Sequence, residues 1–214
     1  MNITIVKETE HWIAVSKPAG IQVERNPFGP SAESLVYDYL SGRTRNPYVG
    51  IVHRIDRPTS GLVLIAKKKQ MLRRLNQQFS SQDVHKEYLA RVAPLPAATS
   101  GQLNHWLEKD LVNKKALVHS EEVSGAKYCS LHYKQKQAFR EEQGLLHIKP
   151  ETGRYHQIRA QLSAIGAPVV GDDKYGSTVP YEEASIMLHA WKLEIPAMNI
   201  QLETAPPAWA EEKS

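Results

Sequence analysis

Three separated segments hold the residues best suited to chemistry. The first, HRIDRPTSGLVLIAK (residues 53–67), sets one carboxylate, Asp56, between Arg54 and Arg57. Pro58, Thr59, Ser60 and Gly61 spell a turn, and Leu62 to Ala66 read as the buried strand that it feeds. A carboxylate on a loop held by a rigid strand is a frequent functional placement. An Arg–Asp–Arg run taken alone is as readily a surface salt-bridge cluster. The second segment, HKEYLARV (85–92), alternates as a strand and puts Tyr88 on one face with Ala90 and Val92. A strand tyrosine is by default a core aromatic; it becomes a site residue where its ring lines a cleft and a nucleobase stacks on it. The third, ETGRYHQIRAQLSAIGAPVVGDDKYG (151–176), predicts a helix that buries Ile158 and Leu162 and turns Tyr155, His156 and Arg159 to another side. By themselves Arg154 and Arg159 read as surface arginines.

Other chemistries lack their residues. The nine histidines form no H-E-x-x-H, and the lone cysteine, Cys129, excludes an internal disulfide and a multi-cysteine zinc site. There is no GxGxxG and no serine nucleophile elbow, and residues 166–173 lack the Lys–Ser/Thr of a phosphate loop. Chemistry by a carboxylate, with neither cofactor nor metal, is what is left.

The elements that must position these groups interleave without a repeat. Strands are expected at residues 2–6, 12–16, 61–66, 86–92, 127–133, 144–149, 186–195 and 199–203. One helix should run from an N-cap at Ser31 through Leu35, Val36, Tyr39 and Leu40 to Gly42. A second carries Met71, Leu72, Leu75 and Phe79 at helical spacing, and a third follows Thr152 and stops at Gly166. Irregular alternation of this kind predicts an α+β fold on a largely antiparallel sheet. The 214 residues suit one domain or two joined halves, with PLPAATSG (94–101) as the expected hinge and residues 205–214 as a loose tail.

Net charge is +4 and the sequence pI about 9.0, so an anionic partner is plausible. Arg43, Arg45, Arg54, Arg57, Lys67, Lys68, Lys69, Arg73 and Arg74 crowd one region that contains only Asp56 to oppose them. A solvated basic face and a phosphate-binding surface fit this run equally well. No apolar stretch approaches a membrane span, and MNITIVKETEHWIAV lacks the layout of a signal peptide. These absences predict a cytoplasmic protein.

The three segments, in this order, resemble those of the RluA-type pseudouridine synthases. HRIDRPTSGLVLIAK is similar to that family's catalytic motif, with Ile55 where leucine is commoner. KEYLARV is similar to its second motif and TGRYHQIRAQLSAIGAPVVGDDKYG to its third. Weaker echoes are WIAVSKPAGIQV (12–23) and LHAWKLEI (188–195). Ala160 and Gln161 stand where Val-His is frequent, and Tyr155 where threonine or serine is. The opening strand begins at once, so the small N-terminal RNA-binding domain of some relatives is expected to be missing. The resemblance implies a pseudouridine synthase fold, with a mixed central sheet flanked by helices and an RNA-binding cleft. It also implies a monomer that acts on tRNA or ribosomal RNA without a cofactor, a metal or a protein partner. Asp56 would be the essential carboxylate, which attacks the sugar, attacks the base or removes a sugar proton. Tyr88 would stack on the flipped uracil, Arg159 pair with Asp56, and Arg54 fill the space vacated in the RNA. His53, Arg57, Arg154, His156 and Ile158 would line the substrate.

Two other readings use the same residues. An idle RNA-binding protein on this fold would not need a carboxylate among phosphates. A glycoside hydrolase would need a second carboxylate as acid or base, and Asp56 has no partner in its motif.

Overall fold

The computed structural model describes residues 3–81, 83–139 and 142–211. In chain order its main elements are β1 (Thr4–Glu8), β2 (Trp12–Lys17), α1 (Ala32–Ser41), β3 (Gly50–Ile51), β4 (Ser60–Ala66), α2 (Lys69–Ser80) and β5 (His85–Val92). There follow β6 (Ser100–Asp110), β7 (Lys115–His119), β8 (Lys127–Ala138), β9 (Gly144–Pro150), α3 (Gln157–Ala164), β10 (Leu188–Ile195), β11 (Ile200–Glu203) and α4 (Ala208–Glu211). All strand pairs named below are antiparallel except β4 with β10. The expected α+β class and mostly antiparallel mixed sheet are therefore present.

The chain divides into two compact units. The first takes the chain to Lys86, with Glu183–Ser185 and His189–Ala205; the second takes Glu87–Glu182, Ile186–Leu188 and the chain from Pro206. The first division thus falls between Lys86 and Glu87, not at 94–101. That loop belongs to the second unit because its backbone is pinned there: Ala93 N donates to Pro168 O (3.1 Å) and Leu95 N to Glu142 O (2.9 Å).

In the first unit β2 pairs with β1 on one side and β4 on the other. Ile13–Val15 and Leu62–Ala66 are buried throughout, which is why both strands read as continuous apolar runs. The second edge of β4 is shared: β3 pairs with its far end at Ile65 and Ala66, and β10 with its start at Ser60 and Gly61. The helix expected from Ser31 is α1. Ser31 Oγ accepts from Ser34 N (3.0 Å) while Ser34 Oγ accepts from Ser31 N (2.9 Å), a reciprocal cap. Met71 and Leu75 of α2 are buried, and that helix packs on β4.

Gly61 is the residue on which the β4–β10 pairing depends. Its φ is +113°, and a Cβ there would lie 2.2 Å from Ala190 O and 2.6 Å from Ala190 N. Backbone has nowhere to yield, so Gly61→Ala should lose about 1–3 kcal/mol of stability, as overpacking does. Urea denaturation would show it as a lower midpoint, and a wild-type midpoint would mean that β10 shifts freely.

In the second unit the strand order is β5–β9–β8–β6–β7. Ile158 and Leu162 of α3 enter a core with Ala90, Val92, Leu131 and Leu146, against which Tyr88 and Ile165 are partly buried. Strands β6 and β7 were not foreseen, because Leu103, Leu107 and Ala116 are their only buried hydrophobic residues. The expected loose tail is ordered over 208–211, where Trp209 is only 6% exposed; residues 212–214 lie outside the described residues, as does Asn2 of the expected first strand.

Candidate active site

Residues 52–59 pass from β3 to β4 without regular structure, and Asp56 lies among them, partly exposed. Thr59 N donates to Asp56 O (3.1 Å), which turns the chain into β4. Next to it, Gly20 N donates to Arg57 O (2.9 Å) and Arg57 Nε donates back to Gly20 O (2.8 Å), lacing the loop to the turn after β2. Lys17 completes the lacing. Its side chain is 0% exposed, and Nζ donates to Pro18 O (2.9 Å), Ile21 O (2.8 Å) and Arg57 O (3.2 Å). Three carbonyl acceptors match the three N–H donors of an ammonium. Burial pulls the Lys17 pKa down to about 7, and the charge of Asp56 opposes that fall. In the sequence Lys17 stood out only as part of WIAVSKPAGIQV, and its long polar side chain gave no sign of burial.

His53 fills a gap in the sheet. Between the points where β3 and β10 pair with β4, Leu64 N donates to His53 Nε2 (3.0 Å) on that shared edge. The ring stacks on Phe79 at 4.9 Å, and burial, then the charge of Lys86, push its pKa down to about 3. His53 is therefore a neutral ring whose Nε2 is engaged by backbone. A similar link anchors the start of β4, where Ser60 Oγ lies 2.8 Å from His189 Nδ1 and His189 Nε2 lies 2.7 Å from Thr204 Oγ1. Burial lowers the His189 pKa to about 4.

The basic run is better neutralised than its sequence suggests. Lys67 pairs with Glu8 at 2.7 Å, Arg43 with Glu8 at 3.2 Å, Arg54 with Glu24 at 2.9 Å, and Lys68 with Glu10. Lys67, followed by Tyr39, holds the Glu8 carboxyl below its ordinary range against the effect of burial. These glutamates come from β1, its following turn and the loop before α1, too far along the chain for local charge counting to find. Arg45, Lys69, Arg73 and Arg74 form no ion pair among the described residues.

Arg154, His156, Ile158 and Arg159 sit together in the second unit, on α3 and the turn that enters it. Tyr88, on β5 of that unit, packs against the core that includes Ile158. The entry turn is held by Gln157, whose Oε1 accepts from Thr152 Oγ1 (2.8 Å) and Arg154 N (2.9 Å) while Nε2 donates to Ser130 O (3.0 Å). His156 takes a left-handed conformation at the helix start, φ +52°, with Nδ1 2.9 Å from Tyr175 Oη. Arg154 is exposed and donates from Nε to Tyr128 O (3.0 Å).

Arg159 is no surface arginine. It is 3% exposed, and its Nε and Nη2 donate to the two oxygens of Asp172 (2.6 and 2.8 Å), itself 1% exposed. The guanidinium also lies over the Tyr175 ring, 4.9 Å from its centroid. A planar fork held on two oxygens is fixed in direction as well as in charge. Asp172 was missed because nothing in VVGDDKYG separates a buried aspartate from an exposed one. No cluster of side chains suited to a metal ion occurs among the described residues, and no helix there is long and apolar enough to cross a membrane.

A family model described as RNA pseudouridylate synthase matches residues 11–164. The chain belongs to that family. The match includes Lys17, Asp56, Tyr88 and Arg159 and ends before Asp172 and His189. Among relatives in the RNA pseudouridylate synthase family, the chain is 36% identical over 195 residues to the dual-specificity RNA pseudouridine synthase RluA of Vibrio cholerae, covering 89% of this chain and 76% of that one. It is 32% identical over 180 residues to the ribosomal large subunit pseudouridine synthase D of Xylella fastidiosa, covering 83% of this chain but 53% of that one. The chain thus spans from about half to three quarters of the length of these two relatives. Among solved structures, that of human RNA pseudouridylate synthase domain containing 4 shares the fold, with a TM-score of 0.79 at 20% identity over 97% of this chain and 90% of that one.

Proposed function

We propose that this protein isomerises uridines to pseudouridine in structured RNA, tRNA or ribosomal RNA, with Asp56 as the essential carboxylate. The observation that carries this reading is the loop around Asp56. Backbone pairs with Gly20 and a fully buried Lys17 hold it rigid in a chain that belongs to the RNA pseudouridylate synthase family. The names of the relatives, a ribosomal and a dual-specificity synthase, favour RNA as the substrate. The reaction breaks the bond from the ribose anomeric carbon to uracil nitrogen, turns the base, and rejoins it through carbon 5. The hydrogen at carbon 5 leaves as a proton once the new bond forms, and the freed nitrogen takes up a proton, so the product is an isomer of the substrate. The base must first leave its stack, which costs a few kcal/mol.

In this reading Tyr88 stacks on the flipped uracil, and Arg159 orients the Asp56 carboxylate. Arg54, Arg57, His53, Arg154, His156 and Ile158 contribute to holding the RNA, and the exposed Arg73 and Arg74 add backbone contacts. The test is release of tritium from RNA labelled at carbon 5 of uracil on incubation with the purified protein. Release with matching pseudouridine formation supports the reading; binding of such RNA without release defeats it.

Stacking on an aromatic ring contributes about 1–3 kcal/mol per base. Tyr88→Ala should therefore lose activity, while Tyr88→Phe keeps RNA affinity. A Phe variant that binds but does not react would add a proton-transfer role for the hydroxyl. Full activity of the Ala variant would return Tyr88 to a core aromatic.

A further inference from the structure

A pocket of about 250 Å³ lies within the second unit, and of the residues proposed to hold the RNA only Arg154 lines it. Strand register explains it. Strand β8 begins at Lys127, opposite Leu107 of β6, whereas β6 runs on to Asp110 paired only with β7. The edge of β6 past Leu107 therefore has no β8 residue opposite it, and the turn at Gly153–Tyr155 forms another wall of the notch. Lys109, Lys127 and Arg154 line it, with Glu108 the one carboxylate.

The charges are arranged for an anion. Glu108 is engaged by His119 Nε2 at 3.1 Å. Lys109 and Lys127 make no ion pair among the described residues. The bond from Arg154 Nε to Tyr128 O fixes the plane of its guanidinium. Lys109 Nζ lies over the Tyr155 ring, 4.8 Å from its centroid, and that ring is stacked on His156 at 3.8 Å and donates from its hydroxyl to Lys114 O (3.3 Å). Tyr155 is thus a positioning residue that holds Lys109 at the pocket. Three cations around a cavity of this size suit one phosphodiester and its sugar, with Arg154 offering a planar fork.

We propose that this pocket grips a backbone phosphate of the substrate RNA away from the isomerised uridine, an inference that rests on RNA being the substrate. The test measures binding of a fluorescein-labelled oligouridine to the full chain across a salt series, beside competition by inorganic phosphate. Lys109→Gln and Lys127→Gln should each make the logarithmic salt dependence shallower by about 0.7, the value for one lost single-strand phosphate contact. They should raise KM while leaving the single-turnover rate at saturating RNA unchanged. Tyr155→Phe should keep the wild-type slope and Tyr155→Thr should behave like Lys109→Gln. Lys134→Gln, at the other end of β8, serves as the control and should change nothing.

Unchanged slopes in the pocket variants overturn the proposal, as does an equal change in Lys134→Gln, which would reveal only a diffuse field. Weakened phosphate competition without a change in RNA slope would mean a site for free anions and would also overturn it. The two readings fail separately. Wild-type protein that binds oligouridine with the expected slopes but releases no tritium defeats the catalytic reading alone. Tritium release with unchanged slopes defeats the pocket alone.

Discussion

Asp56→Asn is expected to give a folded protein that binds RNA and forms no pseudouridine. The substitution keeps the shape of the side chain and removes its charge and its ability to accept a proton or form a bond to carbon. The contacts that lace this loop run through backbone atoms of Asp56 and Arg57 and through the side chains of Arg57 and Lys17, so they survive the change. A role confined to proton transfer sets the loss at roughly 10²–10⁴-fold, and a nucleophilic role takes the rate below detection. Single-turnover measurement at saturating RNA separates this from weakened binding. Multiple-turnover pseudouridine formation by the variant would remove Asp56 from the mechanism.

Asp172→Ala should be among the most destabilising single changes in the second unit. It leaves the Arg159 guanidinium, 3% exposed, without the two oxygens that its Nε and Nη2 now reach at 2.6 and 2.8 Å. Breaking one side of a buried pair costs about 3–5 kcal/mol, because the remaining charge loses the partner that offset its desolvation. For a chain of this size that corresponds to melting roughly 10 °C lower. Replacing both partners, Arg159→Met with Asp172→Leu, should recover much of the stability while abolishing activity if Arg159 orients the catalytic carboxylate. A loss below about 1 kcal/mol in Asp172→Ala would show that water or other partners of Arg159 take over from the lost carboxylate. Arg159→Lys should fall between, since an ammonium cannot hold two carboxylate oxygens as a fork.

The helices and the central strands were legible in the sequence because their signals are local. Ser31 and Gly42 bracket α1, Met71 and Leu75 lie four apart on α2, and Leu62–Ala66 is an unbroken apolar run. The segment that carries Asp56 stood out for the same reason, being contiguous from His53 to Lys67. What was not legible depends on partners distant along the chain. The neutralisation of Lys67 and Arg43 comes from Glu8, and the burial of Arg159 from Asp172. Helical spacing put Arg159 away from Ile158, but Gln157 to Leu162 are all buried, so the other side of α3 is not solvent. Strands β6 and β7 escaped because few of their residues are buried hydrophobics, and the pocket between their hairpin and residues 153–155 follows from a register that no motif records.

The way the chain divides has a consequence for synthesis. Strands β10 and β11 belong mostly to the first unit although they are made after nearly all of the second. A nascent chain that has just released Lys86 carries β4 with the start of its second edge, the one β10 will take at Ser60 and Gly61, still unpaired. His189, which bonds Ser60, does not yet exist. Strands β5 to β9 and α3 can close in the meantime, since domains fold as units during translation. The part holding Asp56 is thus finished only once β10 and β11 have been made, and a chain terminated anywhere before residue 189 would present an open strand edge beside that loop.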